Sequence, residues 1–487
     1  MRKLLVFGVL CALSTRSFAD DRATARHAAE QLAADARTMH DDAKYVACGQ
    51  AYLDLYNHDP QAADNDEILY NAAVCFREAK SVSAQLQSYK LLLEYFPRSK
   101  LAGKALVATA LAYAQIAYFD RAAEHLEEYA AKYAGEKDAI DALSDAVYYR
   151  AALGDTAKRV QDTRLFIRNY GSRRPKEAAA AHYALLSAYD GAPDDAIRLL
   201  REYLKSYRTT IDDDQAIAAH ARLGALLWAQ SCPVPATDGL CITFVRKPPA
   251  LACGADRVLK VVAVTRSAVR AEALAESKQA IALFEKAPTA ATPRGRHAAA
   301  MAKLALADDD LERMLEASLP TDLDFDPAPA HKAARDLSLK RFTSWIERQT
   351  ASGRKLADQY SAILQLKDAD SSIAAAARIG QTAQAFWRAL LVGEIPKTIR
   401  TGDLAKAKLD AYCHQIREVA EPLAARAVEA FALCLAKASE LAAGESWAPV
   451  CLRELHVLAP DKFPDVLELR AAPELVATPV ALEPPTR

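Results

Sequence analysis

Glycine is scarce in this chain, 16 in 487 residues, and no glycine-rich phosphate loop occurs, which removes the P-loop class of nucleotide binders. The ten histidines are scattered without a His-Glu-x-x-His pattern, so the helix-borne zinc-protease site is excluded. No two cysteines stand in the C-x-x-C spacing typical of zinc ligands. Past the first few residues nothing approaches the roughly 18 consecutive apolar residues that a membrane-spanning helix needs. An excess of positive charge is missing too, with 62 basic residues against 63 acidic ones. A nucleic-acid binder would need a concentrated basic stripe.

Among what is present, residues 1–19 read as a cleavable secretory leader. Arg2 and Lys3 form a charged start, residues 4–13 an apolar core, and Ser17-Phe18-Ala19 a small-x-small cleavage pattern. Cys11 is not read as a lipid-attachment site, because Gly8-Val9-Leu10 lacks the small residues that precede a lipidated cysteine. Cleavage takes three basic residues from the 62 and leaves 59 against 63 acidic ones. The expectation is an exported, periplasmic, mildly acidic protein without a spanning segment, its position leaving room for peripheral outer-membrane association. About 468 residues remain, long for one core, so two or three regions are expected.

Phe96, Tyr133, Tyr170 and Tyr207 recur every 37 residues, and Leu92, Tyr129, Phe166 and Tyr203 keep step with them. A two-helix unit of that length cannot bury its apolar face alone and stacks on its neighbours. Ala73, Ala110, Val147 and Ala184 mark one register of first helices, and Ala122 and Ala196 one of second helices. Small side chains there allow close contact. Aspartates in Phe119-Asp120 and Pro193-Asp194 are expected to accept the free amide hydrogens of a first turn.

The expected fold class is therefore all-α, a solenoid with a small β-hairpin insertion and a C-terminal helical bundle. After a polar lead-in, helices over 41–57 and 67–80 form a first hairpin, broken at Asn57-His58-Asp59-Pro60. The repeat region is assigned to 20–231, with four to five units legible over 41–231. Residues 232–266 form a cysteine-containing insertion whose strands are expected over 240–245 and 258–265. Further helices occupy 267–329 and end at an acidic, proline-marked loop over 320–329. A bundle over 330–470 follows, with helices around 406–418, 423–442 and 448–458. Residues 471–487 are proline-rich and expected as a loose tail.

Phe96-Pro97-Arg98-Ser99, then Ala105, Ala110, Tyr113, Ala122 and Leu126, resembles the tetratricopeptide pattern, especially that of bacterial envelope proteins. The tyrosine position is replaced by Arg150 and Ser187 in later units. Ala411-Tyr412-Cys413, Glu421-Pro422-Leu423, Ala427, Ala430, Cys434, Trp447 and Cys451, with Cys232-Pro233-Val234 and Asp238-Gly239-Leu240-Cys241, resembles tetratricopeptide envelope proteins of deltaproteobacteria. Some of those belong to the gliding-motility machinery of myxobacteria. The resemblance implies architecture and cysteine placement and names no activity.

Eight cysteines survive export, an even count that favours pairing in an oxidising compartment. Residues equidistant from a helical turn lie level across the hairpin. Cys48 and Cys75 centre on the loop between the first two helices, and Cys434 and Cys451 centre beside Gly444. Cys232, Cys241, Cys253 and Cys413 remain, with a bridge inside the insertion expected and Cys413 reachable only if the chain curls back. A metal site is the alternative for these four.

Three functional readings compete. In the first, the chain is a non-catalytic interaction scaffold whose first helices line a groove. Counting from the tyrosine position puts Tyr70, Lys104, Gln115, Tyr148 and Tyr189 on that groove, able to hold a peptide or partner helix. Packing of the tyrosines between repeats stays open beside it. The second is a peptidoglycan-active enzyme, since Gly444-Glu445-Ser446 resembles the catalytic glutamate and serine of lytic transglycosylases, which also carry an α-superhelical region. Too little chain follows Glu445 for a lysozyme-like fold around it. In the third, the C-terminal bundle forms a homo-oligomer. Cys413-His414 is not a nucleophile with its base, because helix neighbours point about 100° apart. No cofactor and no metal are expected.

Overall fold

The computed structural model describes residues 4–233, 238–246, 253, 260–288 and 291–464, with 4–20 and 244–246 described for their backbone alone. The expected tail at 471–487 lies outside the described residues. The chain is all-α apart from one two-stranded sheet, and it divides into two compact units, Met1–Ala192 and Pro193–Arg487. No described helix is long and apolar enough to cross a membrane.

The first unit runs α1 (Leu4–Met39), α2 (Asp42–His58), α3 (Asn65–Glu78), α4 (Val82–Tyr95), α5 (Ala102–Gln115), α6 (Phe119–Lys132), α7 (Ala139–Ala152), α8 (Thr156–Tyr170) and α9 (Pro175–Ala184), which ends in a 3₁₀ turn, Leu185–Tyr189. Each helix from α1 to α8 packs on the next, so the unit is a solenoid of helical pairs. Within each pair the chain turns through a left-handed residue at one repeat position: Lys80 (φ 57°), Ala117 (φ 61°), Gly154 (φ 70°) and Gly191 (φ 85°), 37 residues apart. Around the first three of these, paired backbone bonds close the end of the first helix. Ser81 N–H donates to Phe76 O at 2.8 Å, Tyr118 to Tyr113 at 2.9 Å and Asp155 to Arg150 at 3.0 Å. This Schellman geometry satisfies carbonyls that a helix end otherwise leaves open.

The lead-in expected over 20–40 is helical. Ala29 and Ala36 of α1 are fully buried, and Arg22 and Arg26 reach Asp64 at 2.8 and 3.1 Å. Alanine carries the apolar period there, which makes it faint in the sequence. Asp120 and Asp194 lie inside the first turns of their helices and do not cap them. Their carboxylates act on the helix dipole. Side-chain caps come instead from Asp41, Asp155, Asp212, Thr292 and Asp368.

The second unit runs α10 (Pro193–Ser206), α11 (Asp213–Ser231), β1 (Ile242–Arg246), β2 (Lys260–Ala263), α12 (Ser267–Lys286), α13 (Pro293–Glu316), α14 (Lys332–Leu364), α15 (Ala369–Leu391), α16 (Lys397–Arg400), α17 (Ala405–Leu441) and α18 (Ala448–Leu458). The strands pair antiparallel, Ile242 with Ala263 and Thr243 with Val262. The two helices expected over 406–442 are one, α17, which continues through Pro422. An interior proline costs about 3 kcal/mol. Burial of Ile416, Ala420, Ala427 and Phe431, two of them on each side of it, offsets that. Gly380 of α15 lies against Phe431, so close that a Cβ there would meet the ring at 2.8 Å.

An acidic face of α13 organises this unit. Asp308 accepts two bonds from Arg378, at 2.9 Å from Nε and 2.7 Å from Nη2, and a third from the Tyr360 hydroxyl at 2.9 Å. Arg378 also donates to the Asp238 carbonyl at 2.8 Å and lies 4.7 Å from the Trp447 ring centre. One turn on, Glu312 accepts from Cys241 N–H at 2.6 Å and stands 3.4 Å from Arg270, whose guanidinium covers Trp228. Glu316 accepts from Ala263 N–H at 2.7 Å.

Two stability predictions follow from this geometry. Replacing Ala117 by glycine removes a left-handed Cβ clash and is expected to raise stability by about 0.5–1 kcal/mol in a denaturant titration. Arg378→Ala strands a buried carboxylate and is expected to cost about 3–5 kcal/mol, whereas Arg378→Met combined with Asp308→Leu recovers most of it.

Candidate functional site

The five residues placed on the first-helix surface separate into two groups. Lys104 and Gln115 on α5 are exposed, and Tyr148 on α7 is 69% exposed. Tyr70 is half-buried, with its ring 5.8 Å from that of Tyr89, so it packs between helices. Tyr189 stands at the end of the 3₁₀ turn that replaces the last turn of α9, where its hydroxyl accepts from Arg164 of α8 at 3.2 Å. Three of the five are therefore open for a partner, on two successive first helices.

Leu111 joins them. It is 54% exposed on α5, one 37-residue repeat before Tyr148 and one after half-buried Val74 of α3. Val74, Leu111 and Tyr148 form a ladder of apolar side chains, one rung per repeat. The next rung, Leu185, is 3% exposed because α9 has given way to the 3₁₀ turn.

A cavity of about 610 Å³ lies elsewhere in the same unit, between the second helices α4 and α6 over the end of α5. Leu86, Lys90, Glu94, Tyr113 and His125 line part of it, and none of the five expected residues does. Tyr113 and His125 stack at 5.6 Å with planes 7° apart. Burial lowers the His125 pKa against the pull of Glu128 and Glu124, and its Nδ1 has no hydrogen-bond partner among the described residues.

One repeat further, the same two positions hold Arg150 and Asp162. Arg150 is 1% exposed and donates from Nε to Glu127 of α6 at 2.6 Å. Burial, then the neighbouring Glu127 carboxylate, pushes Asp162 up to about 7. Arg150 Nη2 and Asp162 Oδ2 have no hydrogen-bond partner among the described residues. The tyrosine position that the repeat loses at Arg150 is thus the centre of a buried charge cluster.

The cysteines meet in four pairs: Cys48 with Cys75, Cys232 with Cys241, Cys253 with Cys413 and Cys434 with Cys451, at Cα separations of 6.0, 5.2, 5.5 and 6.4 Å. The first and last tie neighbouring helices across their turns. Cys232–Cys241 closes the insertion at its base, and Cys253–Cys413 joins it to α17. Among the described residues no group of His, Cys, Asp and Glu is arranged to hold a metal ion. Glu445 stands exposed in the turn between α17 and α18, and His414 points to solvent beside bridged Cys413.

No family model matches the chain, and no curated protein matches it in sequence. Among solved structures it is similar to the MamA protein, at 15% identity over 47% of this chain and 97% of that one, with a TM-score of 0.26. It is similar to a tetratricopeptide repeat protein from Parabacteroides merdae at 13% identity over 64% and 99%, TM-score 0.26. A third is the P58(IPK) TPR domain, at 12% identity over 91% and 100%, TM-score 0.21. Likenesses at this level carry no argument about partner or activity, and the solenoid is read from its own helix order.

The Asp162 cluster has a pH consequence. A free carboxyl titrates near 3.9, so between about 4 and about 7 the folded chain holds a proton on Asp162 that the unfolded chain has released. This group's contribution to stability therefore falls as pH rises through that window. Asp162→Asn, which mimics the protonated form, is expected to flatten that part of the melting-temperature profile and to melt higher than the parent at pH 8.

Proposed function

We propose that the chain is a non-catalytic protein–protein interaction scaffold of the bacterial periplasm or cell envelope, binding a peptide or protein through the first helices of its repeats. The observation that carries this reading is the set of exposed side chains on α5 and α7, namely Lys104, Leu111, Gln115 and Tyr148. Large apolar groups that a solenoid does not need for its own core mark a surface available to a partner. Four cysteine bridges support an oxidising compartment, in keeping with the expected leader. Membership of an envelope or motility complex, as the tetratricopeptide resemblance implies, belongs to the same proposal. No observation at Glu445 favours peptidoglycan cleavage.

Site-specific photo-crosslinkers at 104, 115 and 148 test the reading in intact cells. Defined adducts are expected at those three positions and not at Arg121, on the exposed face of second helix α6. Equal labelling at all four, or none at the three, is the contrary result.

A further inference from the structure

The eight cysteines beyond the expected leader allow about a hundred complete pairings. The one observed joins each cysteine to the next in the chain: Cys48 to Cys75, Cys232 to Cys241, Cys253 to Cys413 and Cys434 to Cys451. These bridges neither enclose nor cross one another, and each closes inside one of the two compact units. In a chain delivered N-terminus first, every cysteine therefore meets its native partner before any later one, provided that each bridge closes before the cysteine after it arrives.

Proximity along a complete chain does not select this set. Cys253 stands twelve positions after Cys241, and Cys413 twenty-one before Cys434, whereas the separation of Cys253 from Cys413 is 160. Loop closure in an unfolded chain falls off with about the 3/2 power of length, so a whole reduced chain closes Cys241–Cys253 about 50-fold more readily than Cys253–Cys413. Order of arrival removes that competition. Burial then sets where exchange begins: Cys413 is 6% exposed and Cys241 0%, while Cys253 and Cys232, the earlier member of each pair, are half-buried. An outside disulfide reaches the earlier sulfur of both bridges.

We propose that a thiol oxidant, a protein carrying a reactive disulfide, closes the four bridges in chain order during export, and that Cys253 holds this oxidant as a mixed disulfide until Cys413 arrives. The Cys253 thiolate attacks the oxidant's disulfide and releases one of its two sulfurs as a thiolate. The Cys413 thiolate then attacks Cys253 Sγ, forms the bridge and expels the oxidant's other sulfur. Two thiols of this chain are oxidised, one disulfide of the oxidant is reduced to a dithiol, and the two protons pass to its thiolates. No disulfide isomerisation is required. The proposal rests on export to an oxidising compartment and names the class of reaction that completes the chain there.

Export of the full chain in a bacterial host whose disulfide isomerase is deleted tests it, read by non-reducing peptide mapping. The same four pairs are expected in unchanged yield, and deleting the thiol oxidant instead is expected to lower the fully bridged form at least tenfold. Cys413→Ser is expected to accumulate a reducible adduct of the oxidant on Cys253, at least fivefold above the parent. Oxidised glutathione acting on the whole reduced chain in denaturant is expected to give Cys241–Cys253 in excess of Cys253–Cys413. Native bridges that form only with the isomerase, a Cys413→Ser adduct that maps elsewhere than Cys253, or a denatured chain that closes Cys253–Cys413 in excess overturns the proposal and leaves the export reading intact. A chain that keeps its leader and its free thiols in the cytoplasm overturns both.

Discussion

Aromatic rings recur at one position at the ends of the second helices of the first unit, and the register of that unit depends on these joints. In α6 the rings of Tyr129 and Tyr133 lie 5.1 Å apart and press on Gly103 of α5, where an added Cβ would meet Tyr133 at 3.2 Å. Phe166 and Tyr170 repeat the arrangement in α8 at 5.8 Å. In the second unit α10 carries Tyr203 and Tyr207 at 5.6 Å. Because the rings fill one fixed position per repeat, the left-handed turns at Lys80, Ala117, Gly154 and Gly191 must also recur at one position. Two of the four accept a strained non-glycine residue there, so the stacking must be strong enough to override local preference.

Where the joint departs from aromatic packing, charge enters the interior. Phe76, Tyr113 and Arg150 occupy one position of successive first helices, and Ser88, His125 and Asp162 one position of the second helices. The first series runs from a phenylalanine packed on Gly49 of α2 through a tyrosine stacked on His125 to a buried arginine with two carboxylates. Desolvating those groups costs more than their mutual attraction returns unless every hydrogen bond is made. Here some are not. The middle of the solenoid is thus its least economical section, and it lies directly behind Tyr148, the most exposed of the ladder residues.

The second unit solves the same problem of cohesion differently. Its helices are long, and α13 reaches α12, α14, α15 and the insertion through Asp308, Glu312 and Glu316. Arg378 is fully desolvated yet completely engaged, by a bidentate carboxylate, a backbone carbonyl, Gln381 and the face of Trp447. Cys253–Cys413 closes a loop of 160 residues over this core, and bridges across loops of about 100 residues contribute about 4–5 kcal/mol in the chain-entropy account. Polar order and covalent ties therefore hold a region where no aromatic repeat is available.

These two strategies leave different traces in a sequence. The solenoid was legible because Phe96, Tyr133, Tyr170 and Tyr207 share one spacing, and the helices of the bundle because Leu356, Tyr360 and Ile363 keep helical period. Helix α1 was obscured by alanine, and the continuity of α17 by Pro422, since a local rule cannot weigh the burial that overrides it. On the first-helix surface counting from the tyrosine position leads to Tyr148, which is exposed, but not to Leu111, although the same spacing leads from one to the other. Exposure separates them from Tyr70, and exposure is a property of the stack: a leucine on a first helix reads as core until its neighbours are in place. For the same reason Arg150 read only as a lost tyrosine, because the carboxylates that make its burial tolerable come from α6 and α8 and meet it only in three dimensions.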